Sequence, residues 1–145
     1  MKNDEITKII PHRAPFLFID EIIELNPGVN AVGIKKVKPE EEYFKGHFVG
    51  NPVMPGVLII ESMAQVGAII VLSLEENKGK VAYFSGIKDA KFLKVVLPGD
   101  ELVVHCELIR MKFSIGYGYA KAYVNNTPVC EATLSFFIGE NKGRE

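Results

Sequence analysis

The sequence predicts an α+β domain in which an antiparallel sheet wraps round one long central helix. Two observations lead to this prediction. Residues 53–74 form the most apolar stretch of the chain, long enough for a helix that protein surrounds on almost every side. The segments before and after it are rich in β-branched and aromatic residues and are separated by short turn sequences, which is typical of antiparallel strands.

Length and charge limit the domain organisation and the partners. A chain of 145 residues can bury the core of one domain and is too short for two, so we expect a single domain over residues 1–145. With 17 basic and 18 acidic residues, the net charge of −1 provides no broad positive field for nucleic acid or an anionic membrane. Two cysteines make no disulfide framework, and the first residues lack the apolar core of a signal peptide. We therefore expect a cytoplasmic protein without a nucleic-acid partner.

The central helix is expected to begin at Pro55, because the missing N–H of proline has no partner at the first helical position. It should run for about five turns and end before Lys78-Gly79. Its length alone would allow a membrane span, but Glu61 and Gln65 lie inside it, and a carboxylate near the centre of a bilayer costs about 2.5–3.5 kcal/mol. The sequence therefore predicts no membrane span.

Strands are predicted on both sides of this helix. After it, we expect strands at 81–84, 101–109, 115–124 and 129–138, with breaks at 98–100, 110–112 and 125–128. A meander is the simplest connection between these strands. Before the helix, residues 16–25 and 29–37 flank a turn at Asn26-Pro27-Gly28 and predict a further strand pair. The sheet would then have five or six strands.

The candidate site lies around the start of the helix. His47 stands in a glycine-rich loop before it, Gly56 in its first turn and Glu61 in its second. Glu61 shares an otherwise apolar face with Val57 and Gln65, so burial is expected to raise the pKa of its carboxyl toward neutrality. Elimination next to a carbonyl needs a base, an acid and a donor to the carbonyl oxygen. This segment offers all three, with the free N–H groups of the first helical turn, including that of Gly56, as the donors. From these residues alone, a purely structural role for His47 and Glu61 stays open.

Metal, nucleophile and phosphate sites are not predicted. No histidine or cysteine pair among the three histidines and two cysteines has zinc spacing. His105 and Cys106 are neighbours on a predicted strand, so their side chains point to opposite faces. Gly116 and Gly118 fall within a predicted strand rather than in a phosphate-binding loop.

Further segments complete a recognisable order of motifs. They are Pro11-His-Arg-Ala-Pro-Phe-Leu-Phe-Ile-Asp20, Gly46-His-Phe48, Pro52-Val-Met-Pro-Gly-Val-Leu58, Glu61-Ser-Met-Ala-Gln65, Tyr83-Phe-Ser-Gly-Ile87 and Pro98-Gly-Asp100. This pattern resembles the (3R)-3-hydroxyacyl-[acyl-carrier-protein] dehydratases of bacterial fatty-acid synthesis, which have the hot-dog fold. In that fold a sheet wraps round a central helix, in agreement with the element order above.

The resemblance implies a reaction and a role for each site residue. His47 would remove the C2 proton of a (3R)-3-hydroxyacyl thioester, the backbone N–H of Gly56 would stabilise the enolate-like oxygen, and Glu61 would help the C3 hydroxyl leave as water. The product is the trans-2-enoyl thioester, and no cofactor or metal is implied. The partners would be acyl carrier protein and a second subunit, because each site of the homodimer takes its histidine and its acid from different subunits. Dimers of this family often assemble into hexamers.

Residues that contact the substrate are less specifically indicated. An acyl chain needs an apolar tunnel, for which Phe48, Val57, Tyr83 and Phe84 are the candidates. His12 matches a family position, and we assign it a structural role.

A basic rim would steer an acidic carrier protein toward the site. Lys88, Lys91 and Lys94 recur at three-residue intervals, and Arg110 and Lys112 are expected to lie nearby. A solvated face explains these lysines equally well.

The sequence departs from the family pattern at Val49, where proline is common, and at Glu40 or Glu41, where asparagine is common. Glutamate at position 61 favours the dehydratases over relatives with aspartate, which also isomerise the double bond, although some glutamate-bearing relatives isomerise as well. Three alternatives stay open. A hot-dog thioesterase needs a carboxylate and water but no Gly-His-Phe segment, a non-catalytic acyl-binding module would lack the acid and base, and coenzyme A-linked hydration would run similar chemistry in reverse.

Overall fold

In the computed structural model, which describes residues 1–142, helix α2 spans Gly56–Leu72 and is buried along most of its length. Pro55 lies at the N-cap, one residue before the predicted position. The helix runs for about five turns and ends before Lys78-Gly79, as predicted. At its C-terminal end, the carbonyls of Ile70 and Val71 accept hydrogen bonds from other donors. The Gly28 N–H donates to Ile70 at 2.9 Å and the Asn77 side-chain amide to Val71 at 2.9 Å.

Six antiparallel strands surround this helix in the order β1-β2-β4-β5-β6-β3. The strands are β1 Glu21–Asn26, β2 Asn30–Lys36, β3 Val81–Phe92, β4 Glu101–Lys112, β5 Ile115–Val124 and β6 Thr127–Gly139. A four-residue helix α1, Asn3–Ile6, precedes them, and 3-10 helices at Glu42–Lys45 and Glu75–Asn77 flank α2. The predicted α+β architecture is confirmed. No helix within residues 1–142 combines the length and hydropathy needed to cross a bilayer.

The predicted meander is correct for β4, β5 and β6 and wrong for β3. Strand β3 pairs with β6 at the edge of the sheet, while β4 pairs with β2 and β5. The segment around Pro98-Gly99-Asp100 therefore crosses between distant strands, and the Gly99 N–H donates to the Val37 carbonyl at 2.7 Å. Strand β3 is also longer than predicted, because residues 85–91 have little of the composition of a strand and extend only by pairing with β6.

Local sequence patterns located one of two turns correctly and misplaced one strand boundary. The β5–β6 turn lies at Asn125-Asn126, both with positive φ (50° and 64°), which suits a two-residue hairpin. The predicted break at 110–112 lies inside β4, and the chain reverses at Phe113-Ser114 instead. Strand β1 begins at Glu21 rather than at Phe16, because the segment before it packs against α2.

Helix and sheet are in close contact at Gly33 of β2. A Cβ atom at this position would lie 2.8 Å from Cγ2 of Val66 on α2 and 3.1 Å from Cδ1 of Ile22. The first half of α2 keeps one incompletely buried stripe, formed by Val57, Glu61 and Ala64 at helical spacing. This stripe is the part of the helix on which a site can be built.

We expect Gly33→Ala to destabilise the fold by about 1–3 kcal/mol, because the added methyl group overpacks the contact between β2 and α2. Chemical denaturation measures this loss. Gly46→Ala is the control, because a Cβ atom there meets nothing within 4 Å. Equal stability of the two variants would contradict the close packing at Gly33.

Candidate active site

The Glu61 carboxyl is held by Gln65, one turn further along α2. Gln65 is 1% exposed, and its Nε2 donates to Oε2 of Glu61 at 2.9 Å. Burial raises the pKa of Glu61, and the hydrogen bond from Gln65 opposes this rise in part. The shared helical face predicted from the sequence is therefore confirmed for this pair, and Glu61 keeps its proton to higher pH than an exposed glutamate.

The same Gln65 amide fixes the segment that precedes β1. Its Nε2 also donates to the carbonyl of Phe16 at 3.0 Å, and its Oε1 accepts the backbone N–H of Phe18 at 2.8 Å. Because the Phe18 N–H requires an oxygen, the amide has only one orientation that satisfies every partner. Nε2 must then face Glu61, and the segment 11–18 forms a wall beside the carboxyl.

A cavity of about 450 Å³ opens between this wall, α2 and the sheet. Its volume falls in the range of small-molecule sites, and its lining is mainly apolar. The lining residues are Pro11, His12, Phe16, Glu61, Ala64, Ala68, Val81, Ala82, Tyr83, Phe84 and Phe136. The cavity therefore joins one partly buried carboxyl to a space suited to a hydrocarbon chain.

His12 is the polar neighbour of Glu61 that sequence reasoning missed. Its Nε2 lies 3.6 Å from Oε2 of Glu61, with side-chain exposures of 21% and 14%. The structural role assigned from sequence is therefore incomplete, because the imidazole lines the cavity. Ala64 and Ala68 line the cavity at helical spacing from Glu61, a pattern that is visible in the sequence. No sequence periodicity links His12 to α2.

His47 and Gly56 lie outside this cavity within one chain. Nδ1 of His47 contacts the carbonyl of Val53 at 2.9 Å, which fixes the ring and leaves Nε2 available. No described residue accepts a hydrogen bond from the Gly56 N–H at the start of α2. The Phe92 ring covers Gly56 so closely that a Cβ atom there would lie 2.7 Å from Cε1 of that ring.

The four predicted substrate contacts divide into two pairs. Tyr83 and Phe84 line the cavity beside Glu61, although the Tyr83 ring also stacks on Phe137 with centroids 5.2 Å apart. Phe48 and Val57 do not line it and are 51% and 74% exposed. In one chain, the cavity thus contains Glu61, Tyr83 and Phe84 but not His47, Phe48 or Val57.

The predicted basic rim is only partly continuous. Lys88 and Lys91 lie on the exposed edge strand β3 and Lys94 follows it. Arg110 and Lys112 are not their neighbours, because β5 and β6 separate β4 from β3. Within residues 1–142, no group of three His, Cys, Asp or Glu side chains is arranged to hold a metal ion.

Comparisons with known sequences place the chain in a family. A family model of FabA-like domains matches residues 10–133. The 3-hydroxyacyl-[acyl-carrier-protein] dehydratase FabZ of Bacillus cytotoxicus is 51% identical over 139 residues, covering 96% of each chain. The protein of that name from Caldicellulosiruptor saccharolyticus is 56% identical over 133 residues, covering 92% of this chain and 95% of its own.

Solved structures share the fold at low sequence identity. The dehydratase heterocomplex ApeI:P from Xenorhabdus doucetiae contains a chain with a TM-score of 0.80 at 14% identity, covering 94% of this chain and 91% of that one. A hypothetical thioesterase from Streptococcus pneumoniae, solved with coenzyme A, has a TM-score of 0.63 at 17% identity, covering 85% and 88%. The fold is the hot-dog fold. Of these two structures, one is a dehydratase complex and the other a hypothetical thioesterase.

The raised pKa of Glu61 predicts a pH-dependent stability difference. In the unfolded chain the carboxyl ionises near its ordinary value of 4.5, but in the folded chain it ionises at higher pH. Wild-type stability therefore falls, relative to Glu61→Gln, as pH rises through the folded pKa. Thermal unfolding between pH 4 and 8 measures this change. The melting temperature of the wild type should fall relative to that of Glu61→Gln as pH rises. Glu76→Gln, on an exposed turn, is the control, and a difference independent of pH would contradict burial of the Glu61 charge.

Proposed function

Because this chain belongs to the FabA-like family of 3-hydroxyacyl-[acyl-carrier-protein] dehydratases, we propose that Glu61, His47 and Gly56 are the groups with which it removes water. It is a hydro-lyase of fatty-acid biosynthesis, like its FabZ relatives. The substrate is a (3R)-3-hydroxyacyl chain held as a thioester on acyl carrier protein.

The elimination needs one base and one acid. Nε2 of His47 takes the proton from C2, the electron pair of that C–H bond forms the C2=C3 double bond, and the C3–O bond breaks. Glu61 donates its proton to the departing hydroxyl, so water and a trans-2-enoyl thioester leave. The site then holds an imidazolium and a carboxylate, and proton exchange with solvent restores both groups.

The electrostatics of the chain support this division of roles. Burial raises the pKa of Glu61, as an acid at neutral pH requires. The free N–H of Gly56 lies at the positive end of α2 and can donate to the thioester oxygen as negative charge develops there. The observation that carries the proposal is the partly buried Glu61 carboxyl in the wall of an apolar cavity.

A homodimer supplies what one chain lacks. His47 does not line the cavity that holds Glu61, so a site with both groups is expected to take its histidine from a second subunit. Strand β3 is an edge strand with one unpaired side, which is suited to antiparallel pairing with its copy. Large apolar side chains are exposed along β3 and on the segments that flank it and α2: Phe48, Val49, Val57, Phe84, Ile87, Phe92, Leu93, Val95 and Leu97. A hexamer and a cytoplasmic location stay predictions.

Product analysis tests the reaction. Purified protein should convert a (3R)-3-hydroxyacyl chain on acyl carrier protein to a species lighter by one water, as measured by mass spectrometry. His47→Ala and Glu61→Gln should each lower kcat at least about 100-fold, because each removes one proton-transfer group. Free acid as the product would instead establish a thioesterase, and activity retained by both variants would contradict the assigned roles.

Mixing the two inactive variants tests the shared site. After subunit exchange, roughly half of the dimers contain one subunit of each kind and one intact site, so about a quarter of wild-type activity should return. Native mass spectrometry verifies the exchange. Exchange without recovered activity would show that His47 and Glu61 do not come from different subunits.

Charge reversal tests docking of the carrier. Lys91→Glu with Lys94→Glu should raise KM for carrier-bound substrate roughly 5- to 10-fold and leave a small thioester of the same acid unaffected. Lys121→Glu is the matched control, because Lys91 and Lys121 lie 3.7 Å and 3.9 Å from the same Glu131 carboxylate. Equal losses on both substrates would count against a docking role.

A further inference from the structure

His12 is a partly buried ionisable group beside the proposed acid, and the mechanism above does not use it. The imidazole lies on the wall segment that Gln65 ties to α2, so its position relative to Glu61 is set by hydrogen bonds rather than by loop packing alone. At 3.6 Å, the contact between His12 Nε2 and Glu61 Oε2 is longer than a hydrogen bond, as is common for catalytic groups before substrate binds.

The protonation of His12 follows from its surroundings. Burial, together with the neighbouring charge of Arg13, lowers the pKa of the imidazole, so it is neutral at pH 7. A neutral imidazole carries one proton, on either Nδ1 or Nε2. Nδ1 is buried and has no hydrogen-bond partner among the described residues. An unpaired buried N–H is rarer than an unfilled acceptor, so the proton belongs on Nε2, the atom that faces Glu61.

The two oxygens of Glu61 then have different surroundings. Oε2 faces two donors, Nε2 of Gln65 at 2.9 Å and Nε2 of His12 at 3.6 Å. No hydrogen bond from another described residue reaches Oε1. An oxygen that faces two N–H groups accepts hydrogen bonds and does not carry a proton of its own.

We propose that His12 is a positioning residue for Glu61. With Gln65, it keeps Oε2 an acceptor and thereby holds the transferable proton on Oε1, the oxygen left for the substrate hydroxyl. Gln65 alone fixes the orientation of the carboxyl, whereas His12 prevents the proton from moving to the wrong oxygen. This assignment rests on the proposed role of Glu61 as the acid.

The tautomer can be observed without any reaction. Long-range ¹H–¹⁵N NMR on protein labelled in its three histidines distinguishes Nε2–H, Nδ1–H and cationic rings, and the spectrum of His12→Phe assigns the His12 signals. We expect Nε2–H for His12 at pH 7. An Nδ1–H or cationic His12 would overturn the proposal.

Kinetics test the consequence for catalysis. His12→Phe keeps a ring but removes the donor, and should lower kcat roughly 2- to 10-fold with little change in KM, the scale of one neutral hydrogen bond. His12→Gln places an amide N–H near the former Nε2 and should restore most of kcat. His12→Asn, whose shorter amide reaches only the former Nδ1, is the matched control and should remain impaired.

A structural role would give a different pattern. Equal losses for Gln and Asn, or losses that follow the melting temperatures of the three variants, would overturn the proposal, as would three variants with wild-type kcat. Wild-type protein that forms no enoyl product would instead refute the proposed function, and the NMR result would then decide the His12 tautomer by itself.

Discussion

Burial of helix α2 is the constraint on which the rest of the structure depends. Its apolar side chains cover nearly the whole circumference, so a curved sheet, with Gly33 in close contact with the helix, removes most of them from water. The sheet does not cover the stripe that carries Glu61. A carboxyl on this stripe loses much of its hydration without losing access to a ligand.

Gln65 fixes the geometry beside the incompletely buried stripe of α2. It is buried among apolar neighbours, where each unpaired polar group would cost about 1–3 kcal/mol, and all its bonds are satisfied by Phe16, Phe18 and Glu61. Nε2 and Oε1 of one amide therefore hold the wall segment and orient the Glu61 carboxyl. Stability of the fold and orientation of this carboxyl are not separable at Gln65.

His47, the proposed base, does not line the cavity that contains Glu61. His47 is fixed by its own loop through the Val53 carbonyl, and the exposed apolar side chains nearby continue onto the edge strand β3. An isolated chain would leave this surface in water, which is unfavourable for so many large side chains. The separation of His47 from the cavity of Glu61 and the exposure of β3 are both accounted for by the proposed homodimer.

The sequence by itself determined the central helix, a segment of each of the six strands and the motif order around His47, Gly56 and Glu61, because periodicity, turn residues and motif spacing are local properties. It also placed Glu61 and Gln65 on one face. Only the tertiary structure decided that β3 lies beside β6, that it extends to Phe92 and that His12 reaches Glu61. These features depend on hydrogen bonds and packing between segments far apart in the chain, for which no local pattern exists.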